Sequence, residues 1–286
     1  MSVTRKEAEN IASVLSEGLP YIRKFQSKVI VVKYGGAAMT EEKLKKSFTR
    51  DIALMRLVGM QPVIIHGGGP QIGEELSKAG IKSEFINGLR VTTKSTMSVV
   101  KKVLGIKINS EIVKLIKRFG GNAISFNHKN YKIIKASKKT NDKGLDLGQV
   151  GKVDKILTGE LRKALRKGFI PVIAPIGKSD YGDFNINADE VAGEVAKSLK
   201  AEKLILLTDV RGIQDSENRL ISKITSKQGK KVLKEKFIKG GMTPKLMAAL
   251  EAKDAGVKSC HIIDGRVPHA VLLEVLTEEG VGTMIS

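Results

Sequence analysis

The stretch Lys28-Val-Ile-Val-Val-Lys-Tyr-Gly-Gly36 decides the fold class of this chain. It is a short β-branched run that ends in a lysine and two glycines. A similar run, Pro62-Val-Ile-Ile-His-Gly-Gly-Gly-Pro70, follows after one amphipathic stretch. Runs that are apolar at nearly every position are typical of strands buried on both faces. The alternation of such strands with helical patterns predicts an α/β fold, a three-layer αβα sandwich with an open, mainly parallel sheet.

The same alternation continues to the end of the chain. We predict strands over Lys28–Lys33, Pro62–Ile65, Ala123–Phe126, Tyr131–Lys135, Ile170–Ala174, Lys203–Leu207 and Lys258–Ile263. We predict helices over Glu41–Val58, Gln71–Ala79, Thr93–Phe119, Lys155–Lys167, Ala188–Leu199 and Thr243–Ala255. Four of these helices are followed by a glycine, which commonly ends a helix: Gly59, Gly80, Gly120 and Gly168.

Residues 1–27 form a separate element before the first strand. Thr4 and Glu7 match a capping box. Apolar residues then recur at helical spacing, at Ile11, Leu15, Leu19 and Ile22. Pro20 falls inside this pattern, which predicts a kinked helix. Such a short helix is only marginally stable in isolation, so we expect it to pack either on its own sheet or on the same helix of another subunit.

Composition limits the class of protein. The chain has 286 residues, enough for one large α/β domain or two lobes. Its one cysteine, Cys260, excludes an intrachain disulfide and favours a reducing compartment. We find no secretory signal and no run of about 18 apolar residues, so we expect a cytoplasmic protein without a membrane span.

The net charge of +20 has two interpretations. A basic surface is typical of nucleic-acid-binding proteins. Here, however, lysine is spread along the whole chain, aromatic residues are only 4%, and there is no tryptophan to stack on bases. We therefore expect solvated helix faces rather than a nucleic-acid site. A basic surface still attracts anionic substrates.

Two glycine-rich turns are candidate anion sites. Lys33 ends the first strand and precedes Gly35 and Gly36, so an ammonium group and bare amides meet at one point. The glycines Gly67–Gly69 lie between a strand and a helix, where amides and the positive helix end meet. The preceding His66 is interpreted as structural. The spacing matches neither a dinucleotide fingerprint nor a Walker A loop.

Three further segments carry polar groups at strand or helix ends. Arg90 offers a planar guanidinium suited to a carboxylate. Asn185 and Asp189 lead into a helix, where Asp189 could also be an N-terminal cap. Lys245 follows two glycines at another helix start. Open α/β sheets collect ligand groups along this edge.

The order and spacing of six segments resemble the acetylglutamate kinase branch of the amino acid kinase family. These are Lys33-Tyr-Gly-Gly36, His66-Gly-Gly-Gly-Pro70, Asn87-Gly-Leu-Arg-Val-Thr92, Asn185-Ile-Asn-Ala-Asp189, Leu207-Thr-Asp-Val-Arg-Gly212 and Gly240-Gly-Met-Thr-Pro-Lys245. The resemblance implies phosphorylation of the side-chain carboxylate of N-acetyl-L-glutamate, with ATP carrying Mg²⁺ and no direct metal ligand from the protein. It also implies an acetylglutamate-binding and dimerisation lobe at 28–187 and an ATP-binding lobe at 188–286.

The resemblance also implies roles for single residues. Lys33 and Lys245 would neutralise the transferred phosphoryl group, and Asp189 would hold both ammonium groups. The remaining roles are phosphate binding by Gly35, Gly36, Gly67 and Gly68, acetylglutamate binding by Gly68, Gly69, Arg90 and Asn185, and nucleotide binding by Thr208, Asp209 and Gly212. The segment Ile124–Asn130 departs from the glycine-rich stretch of relatives, which leaves the substrate lid undefined.

The N-terminal helix and the tail from His269 to Thr283 resemble the arginine-inhibited, hexameric members of the family. L-Arginine would then bind between them, with candidate contacts Tyr21, His269, Glu278, Glu279 and Gly282. The resemblance also implies a trimer of dimers and leaves a PII-type protein partner open. Three alternatives remain: a sister kinase for another acidic amino acid, a nucleic-acid-binding protein, and a catalytically silent regulatory homologue.

Overall fold

The computed structural model describes residue 4 and residues 16–86, 88–140, 145–277 and 280–286. The strands are β1 Val29–Tyr34, β2 Gln61–His66, β3 Phe85–Ile86, β4 Leu89–Arg90, β5 Ala123–Phe126, β6 Ile134–Lys138, β7 Gly151–Ile156, β8 Ile170–Ile173, β9 Ile176–Ser179, β10 Gly182–Asn185, β11 Lys203–Thr208, β12 Lys223–Ile224, β13 Ser259–Asp264 and β14 Gly282–Ile285. The helices are α1 Leu19–Phe25, α2 Glu42–Leu57, α3 Gly69–Lys78, α4 Lys94–Lys102, α5 Asn109–Arg118, α6 Thr158–Arg166, α7 Ala188–Leu199, α8 Ser226–Val232, α9 Met242–Asp254 and α10 Ala270–Leu276. A 3₁₀ turn covers Gly36–Met39, and a π-helical segment covers Val103–Ile108.

The large sheet has the order β12-β14-β13-β11-β1-β2-β8-β5. β1 runs parallel to both of its neighbours, β2 and β11, and β14 runs antiparallel to β13. Strands from 28–187 form one side of this sheet, and strands from 188–286 form the other. The chain proceeds from β1 to β2 on one side and later to β11 on the other. The carboxyl end of β1 is therefore a switch point, where open α/β sheets bind ligands.

Helices cover both faces of this sheet. Because side chains alternate along a strand, Val31 and Leu204 belong to one buried cluster, which includes residues of α7 and α9. Ile30 and Ile205 point the other way, into a second cluster with α2 and α10. The predicted three-layer αβα sandwich with a mainly parallel sheet is confirmed.

Several shorter elements were missed by the sequence prediction. Beside the large sheet lie the β3–β4 hairpin and a four-stranded sheet of order β10-β9-β6-β7, of which only β6 was predicted as a strand. The strands β12 and β14 and the helices α8 and α10 were also missed. These elements are two to seven residues long, too short for a periodic pattern to separate them from loops.

Two predicted elements were wrong in position. The strand predicted over Tyr131–Lys135 is β6, three residues later, because Tyr131 instead stacks on Phe126 with ring centroids 4.3 Å apart. The helix predicted from Lys155 begins at Thr158, since the residues before it form β7 and pair antiparallel with β6. The two lysines of β7 lie three residues apart, at 152 and 155, a spacing that also fits one face of a helix.

The remaining predicted helices have observed counterparts. Thr93 caps α4, and the predicted helix Thr93–Phe119 is formed by α4, the π-helical segment and α5 in succession. The glycines predicted to end α2, α3, α5 and α6 each have a positive φ. In α1, Pro20 lies in the first turn, and the helical residues 16–17 are separated from α1 by a turn at Gly18.

The first helix packs on its own chain through Phe25, which is buried in the cluster that contains Ile30. Glu7 of the predicted capping box lies outside the described residues, as do Ile11 and Leu15. In the part of the chain that the structure describes, no helix is both long and apolar enough to cross a bilayer.

Candidate active site

The carboxyl end of β1 opens into a cavity of about 460 Å³. Ligand-binding candidates from distant segments line it together, namely Lys33, Gly35, Gly36, Gly67, Gly68, Gly69, Arg90, Asn185, Asp189 and Lys245. The amino ends of α3, α7 and α9 reach the same cavity, and a helix amino end carries partial positive charge. The cavity is therefore suited to an anionic ligand.

Two ammonium groups converge on one buried carboxylate. The Nζ atom of Lys245 lies 2.9 and 3.2 Å from the two carboxylate oxygens of Asp189, and Nζ of Lys33 lies 3.4 Å from one of them. All three residues are less than 10% exposed. Because Lys33 is the penultimate residue of β1 while Asp189 and Lys245 lie in the first turns of α7 and α9, the trio depends on the packing of three elements.

The ionisation of this trio reflects its burial. Burial lowers the pKa of Lys33 to about 8, Lys245 acts in the same direction, and Asp189 opposes both. For Asp189, burial alone would raise the pKa, but the charges of Lys33 and Lys245 bring it below its ordinary value. The Asp189 carboxylate is therefore ionised at neutral pH.

Asp189 does not cap its helix. The N-cap of α7 is Asn187, whose side-chain oxygen accepts hydrogen bonds from the backbone N–H groups of Asp189 and Glu190 at 2.8 and 3.3 Å. The alternative interpretation of Asp189 as a cap is therefore wrong. The sequence analysis missed Asn187, although an Asn immediately before the first residue of a helix is a standard capping signal.

The first glycine turn is packed around Lys33. A Cβ atom on Gly35 would lie 2.6 Å from Nζ of Lys33, so a side chain there would displace the ammonium group. Gly36 has φ +66 and starts the 3₁₀ turn, and the carboxylate of Asp209 accepts a hydrogen bond from the next amide, Ala37 N, at 2.6 Å. A chain segment following β11 thus contacts the turn that follows β1.

The second glycine turn contacts Arg90. The Nη2 atom of Arg90 donates to the Gly69 carbonyl at 2.8 Å, Nη1 donates to the Ser83 hydroxyl, and the guanidinium lies 4.6 Å from the Phe85 ring centre. Asn185 lines the same cavity from the end of β10 and donates to the Thr92 hydroxyl at 3.2 Å. Both side chains are held in place before any ligand binds.

The nucleotide candidates lie at and beyond the carboxyl end of β11. The Thr208 carbonyl accepts a hydrogen bond from Gly265 N at 2.8 Å. Gly212 has φ +143 and packs against Leu220 and Thr283. Thr208, Asp209 and Gly212 are not among the described residues lining the 460 Å³ cavity, but the Asp209 carboxylate lies against Gly36, which does line it, and accepts from Ala37 N.

The divergent segment Ile124–Asn130 forms the end of β5 and a short polar turn. Asn130 closes this turn by accepting from Asn127 N and donating to Ser125 O, both at 2.9 Å. His128 of the same turn packs against Gly105 in the π-helical segment. Within the described residues, no cluster of three or more His, Cys, Asp or Glu side chains could hold a metal ion.

A second cavity of about 860 Å³ lies between α1 and the C-terminal segment. Tyr21 and Gly282 line it together with Lys203 and Glu274. His269 lies elsewhere: its Nδ1 atom is 2.6 Å from a carboxylate oxygen of Asp51. The structure therefore brings two of the arginine candidates together, whereas Glu278 and Glu279 lie outside the described residues.

Comparison with known proteins identifies the family. The sequence pattern of the amino acid kinase family matches residues 28–264. The chain belongs to the amino acid kinase family. An acetylglutamate kinase from Hydrogenovibrio crunogenus is 50% identical over 296 aligned positions, covering 100% of this chain and 99% of that protein.

Solved structures place this family member among proteins of known fold. N-acetylglutamate synthase from Neisseria gonorrhoeae, complexed with coenzyme A and N-acetylglutamate, superposes with a TM-score of 0.87 at 25% identity. That match covers 96% of this chain but 63% of the synthase chain. Carbamate kinase from Giardia lamblia bound to AMP-PNP shares the fold, with a TM-score of 0.63 at 17% identity, over 91% of this chain and 98% of that one.

Proposed function

We propose that this chain is an ATP-dependent kinase that phosphorylates the side-chain carboxylate of N-acetyl-L-glutamate to an acyl phosphate, a step of arginine biosynthesis. The observation that carries the proposal is the buried trio of Lys33, Asp189 and Lys245 beside two glycine turns. The 50% identity to an acetylglutamate kinase over the full length supports the choice of substrate.

Phosphoryl transfer needs positioning and charge neutralisation more than it needs a base. The attacking carboxylate of acetylglutamate is ionised at neutral pH, since such groups have a pKa near 4. Lys33 and Lys245 neutralise the negative charge of the transferred phosphoryl group. Asp189 keeps both ammonium groups at one point, and because it has no proton to exchange at neutral pH, its role is electrostatic.

The glycine turns and the helix ends bind the oxygens. We assign the amides of Gly35 and Gly36 to phosphate, together with Gly67, and the Gly68–Gly69 turn to both the phosphoryl group and acetylglutamate. Arg90 binds the α-carboxylate with its guanidinium, and Asn185 binds the acetylated amine. These groups all line the one cavity.

The residues of the site fit a nucleotide that carries its own metal ion. The cavity offers two ammonium groups and helix amino ends to the phosphates, while its buried carboxylate, Asp189, is already paired with both lysines. Mg²⁺ bound between the phosphates supplies further charge neutralisation. We assign Thr208, Asp209 and Gly212 to the nucleotide, which divides the chain into an acetylglutamate lobe, 28–187, and an ATP lobe, 188–286.

An acyl-phosphate assay tests the proposal. Acyl phosphate is trapped with hydroxylamine after incubation with ATP, Mg²⁺ and a panel of acidic amino acids. We expect hydroxamate with N-acetyl-L-glutamate and background signal with glutamate and aspartate. Signal with an unacetylated amino acid alone would instead indicate a sister kinase. Absence of any hydroxamate, together with salt-sensitive retention of oligonucleotides on filters, would favour a nucleic-acid-binding protein.

Arg90→Ala is expected to raise the KM for acetylglutamate by about 10- to 100-fold, as for loss of a charged hydrogen bond, with a smaller effect on kcat. The measurement is steady-state kinetics at saturating ATP. Arg90→Lys keeps the charge but loses the paired donors, so it should remain impaired. The exposed Arg166→Ala is the matched control and should behave as the unaltered protein. An unchanged KM in Arg90→Ala would contradict the assignment.

Inhibition by L-arginine is a second prediction. The 860 Å³ cavity is lined by Lys203 and Glu274, which form an ion pair with 3.7 Å between Nζ and a carboxylate oxygen, and by Tyr21 from α1. L-Arginine carries a guanidinium and a carboxylate that match these two charges. We expect millimolar L-arginine to reduce activity and Tyr21→Ala to weaken this effect, with L-citrulline, which lacks the positive charge, as the matched control ligand. Unchanged activity at millimolar arginine would remove arginine regulation from the proposal.

The proposed quaternary structure is a hexamer formed as a trimer of dimers, with N-terminal helices joining the dimers. Removing residues 1–26 should then reduce the hexamer to dimers in size-exclusion chromatography. A PII-type protein stays a possible partner, and we propose a cytoplasmic location without nucleic-acid or membrane binding.

A further inference from the structure

Most backbone polar groups of the second glycine turn, residues 67–69, are hydrogen-bonded within the protein, whereas the Gly68 N–H is turned away from these bonds. Gly67 N donates to the Tyr34 carbonyl at 2.7 Å, and the carbonyls of residues 67, 68 and 69 accept from His66 Nδ1, Ile72 N and Arg90 Nη2 at 2.9, 2.9 and 2.8 Å. In a trans peptide the N–H points opposite to the C=O. Because His66 Nδ1 holds the Gly67 carbonyl by a hydrogen bond, the Gly68 N–H of the same peptide points in the opposite direction. Gly68 itself lines the 460 Å³ cavity.

The hydrogen bonds of His66 determine its tautomer. Val172 O can only accept, so the Asn109 group 2.9 Å from it must be the amide nitrogen. The same nitrogen lies 3.2 Å from His66 Nε2, which must therefore accept its second hydrogen. At the other side of the ring, the Gly67 carbonyl can only accept, so Nδ1 must carry the proton. His66 is neutral and protonated on Nδ1.

Burial keeps His66 in this state over the working pH range. The side chain is fully buried, and burial lowers its pKa to about 4, with the Gly67 carbonyl opposing the shift. The ring neither gains nor loses a proton near neutral pH. This excludes His66 as a proton carrier and is consistent with a constant hydrogen bond to Gly67.

The turn needs such a constraint because glycine on both sides of the 67–68 peptide gives little resistance to rotation. Gly68 has φ +157, a conformation that L-residues rarely adopt, and a Cβ there would lie 2.5 Å from Leu104 of the π-helical segment. The same segment leads directly into Asn109. The π-helical segment thus packs on the glycine turn, and it leads into Asn109, whose amide nitrogen is the donor that determines the tautomer of His66.

We propose that His66 is a positioning residue that orients the 67–68 peptide so that the Gly68 amide faces the phosphoryl and carboxylate oxygens. Asn109 assists by fixing the ring tautomer. The inference rests on the proposed kinase function for the role of the Gly68 amide, while the tautomer and the peptide orientation do not depend on it.

Two substitutions separate positioning from space filling. In His66→Asn the side-chain amide nitrogen is as far from the backbone as Nδ1 of histidine, so it can still donate to the Gly67 carbonyl. In His66→Gln the amide nitrogen is instead as far from the backbone as Nε2. We expect His66→Asn to keep kcat within about threefold of the unaltered protein. We expect His66→Gln to lower kcat about tenfold or more, since losing one transition-state donor costs at least that much. A packing role predicts the opposite order, because glutamine matches the volume of histidine better.

Nitrogen-15 NMR of histidine-labelled protein gives a readout that is independent of activity. The His66 signals, assigned by their loss in His66→Asn, should show protonated Nδ1 and unprotonated Nε2 from pH 5 to 8. The opposite tautomer, or a kcat for His66→Gln equal to or above that of His66→Asn, would overturn the inference. If the unaltered protein makes no acyl phosphate, the proposed function fails, and the NMR result still tests the orientation of the peptide.

Discussion

Replacing Lys33 or Lys245 with alanine is expected to lower kcat by about two orders of magnitude or more. Each variant removes an ammonium group that lies within 3.4 Å of the Asp189 carboxylate and lines the cavity. Groups that stabilise charge only in the transition state typically contribute 10²- to 10³-fold to kcat. The measurement is the hydroxamate assay at saturating acetylglutamate and ATP.

Matched lysines on the same elements provide the controls. Lys253 lies in the last turn of α9, eight residues after Lys245, and its Nζ donates to the Lys258 carbonyl. Lys28 immediately precedes β1. Alanine at either control position should leave kcat unchanged. A near-normal kcat in Lys33→Ala or Lys245→Ala would contradict the role assigned to that lysine.

Asp189→Asn is expected to have the second large effect, on stability as well as rate. The substitution keeps the shape but leaves two buried ammonium groups beside a neutral amide. Breaking a buried ion pair typically costs about 3 kcal/mol or more of unfolding free energy. Urea denaturation at pH 6, below the pKa of about 8 of Lys33, measures this loss. Glu194→Gln, which removes a half-buried carboxylate paired with Lys197 on the same helix, is the matched control, and equal midpoints for the two variants would contradict the prediction.

The same variant should change the pH dependence of activity. Burial lowers the pKa of Lys33 to about 8 while Asp189 opposes the shift, so kcat/KM for ATP should fall as pH rises through about 8. Lys33 acts as an ammonium group below that pH and as a neutral amine above it. Without the Asp189 charge its pKa falls further, so the basic limb of the profile should move to lower pH. A limb at the same pH in both proteins would contradict this.

Local sequence patterns were sufficient to predict the central strands of the large sheet and the glycine turns that follow them. The run Lys28–Lys33 is apolar between two lysines, and it forms the middle of the large sheet because strands buried on both faces need such residues. The glycine runs at 35–36 and 67–69 follow β1 and β2, and both line the cavity. In each case neighbouring residues in the chain carry the information.

Other features were not predictable in this way. The strand β7 was taken for part of a helix because its pairing with β6 is a contact between separate segments. His269 was grouped with Tyr21, but the left-handed backbone conformation at His269 and the bond to Asp51 keep it out of the cavity that Tyr21 lines. The role of Asn187 as the cap of α7 was not predicted, because Asp189, two positions later, carries a side-chain oxygen that suits the same capping role.

By itself the sequence determined the α/β class, the order of the main strands and helices, and the positions of the glycine turns and lysines, since these depend on periodicity and local conformational preference. The family resemblance implied that Lys33 and Lys245 meet on Asp189, but no local pattern shows it, and it is the tertiary structure that brings the three side chains together. Only the tertiary structure decided that Asn109 and the Gly67 carbonyl determine the tautomer of His66. Apart from the hydrogen bond to the neighbouring Gly67 carbonyl, these contacts join residues 43 to more than 100 positions apart. Their geometry depends on how β1, α7 and α9 pack around one sheet edge, which no local pattern contains.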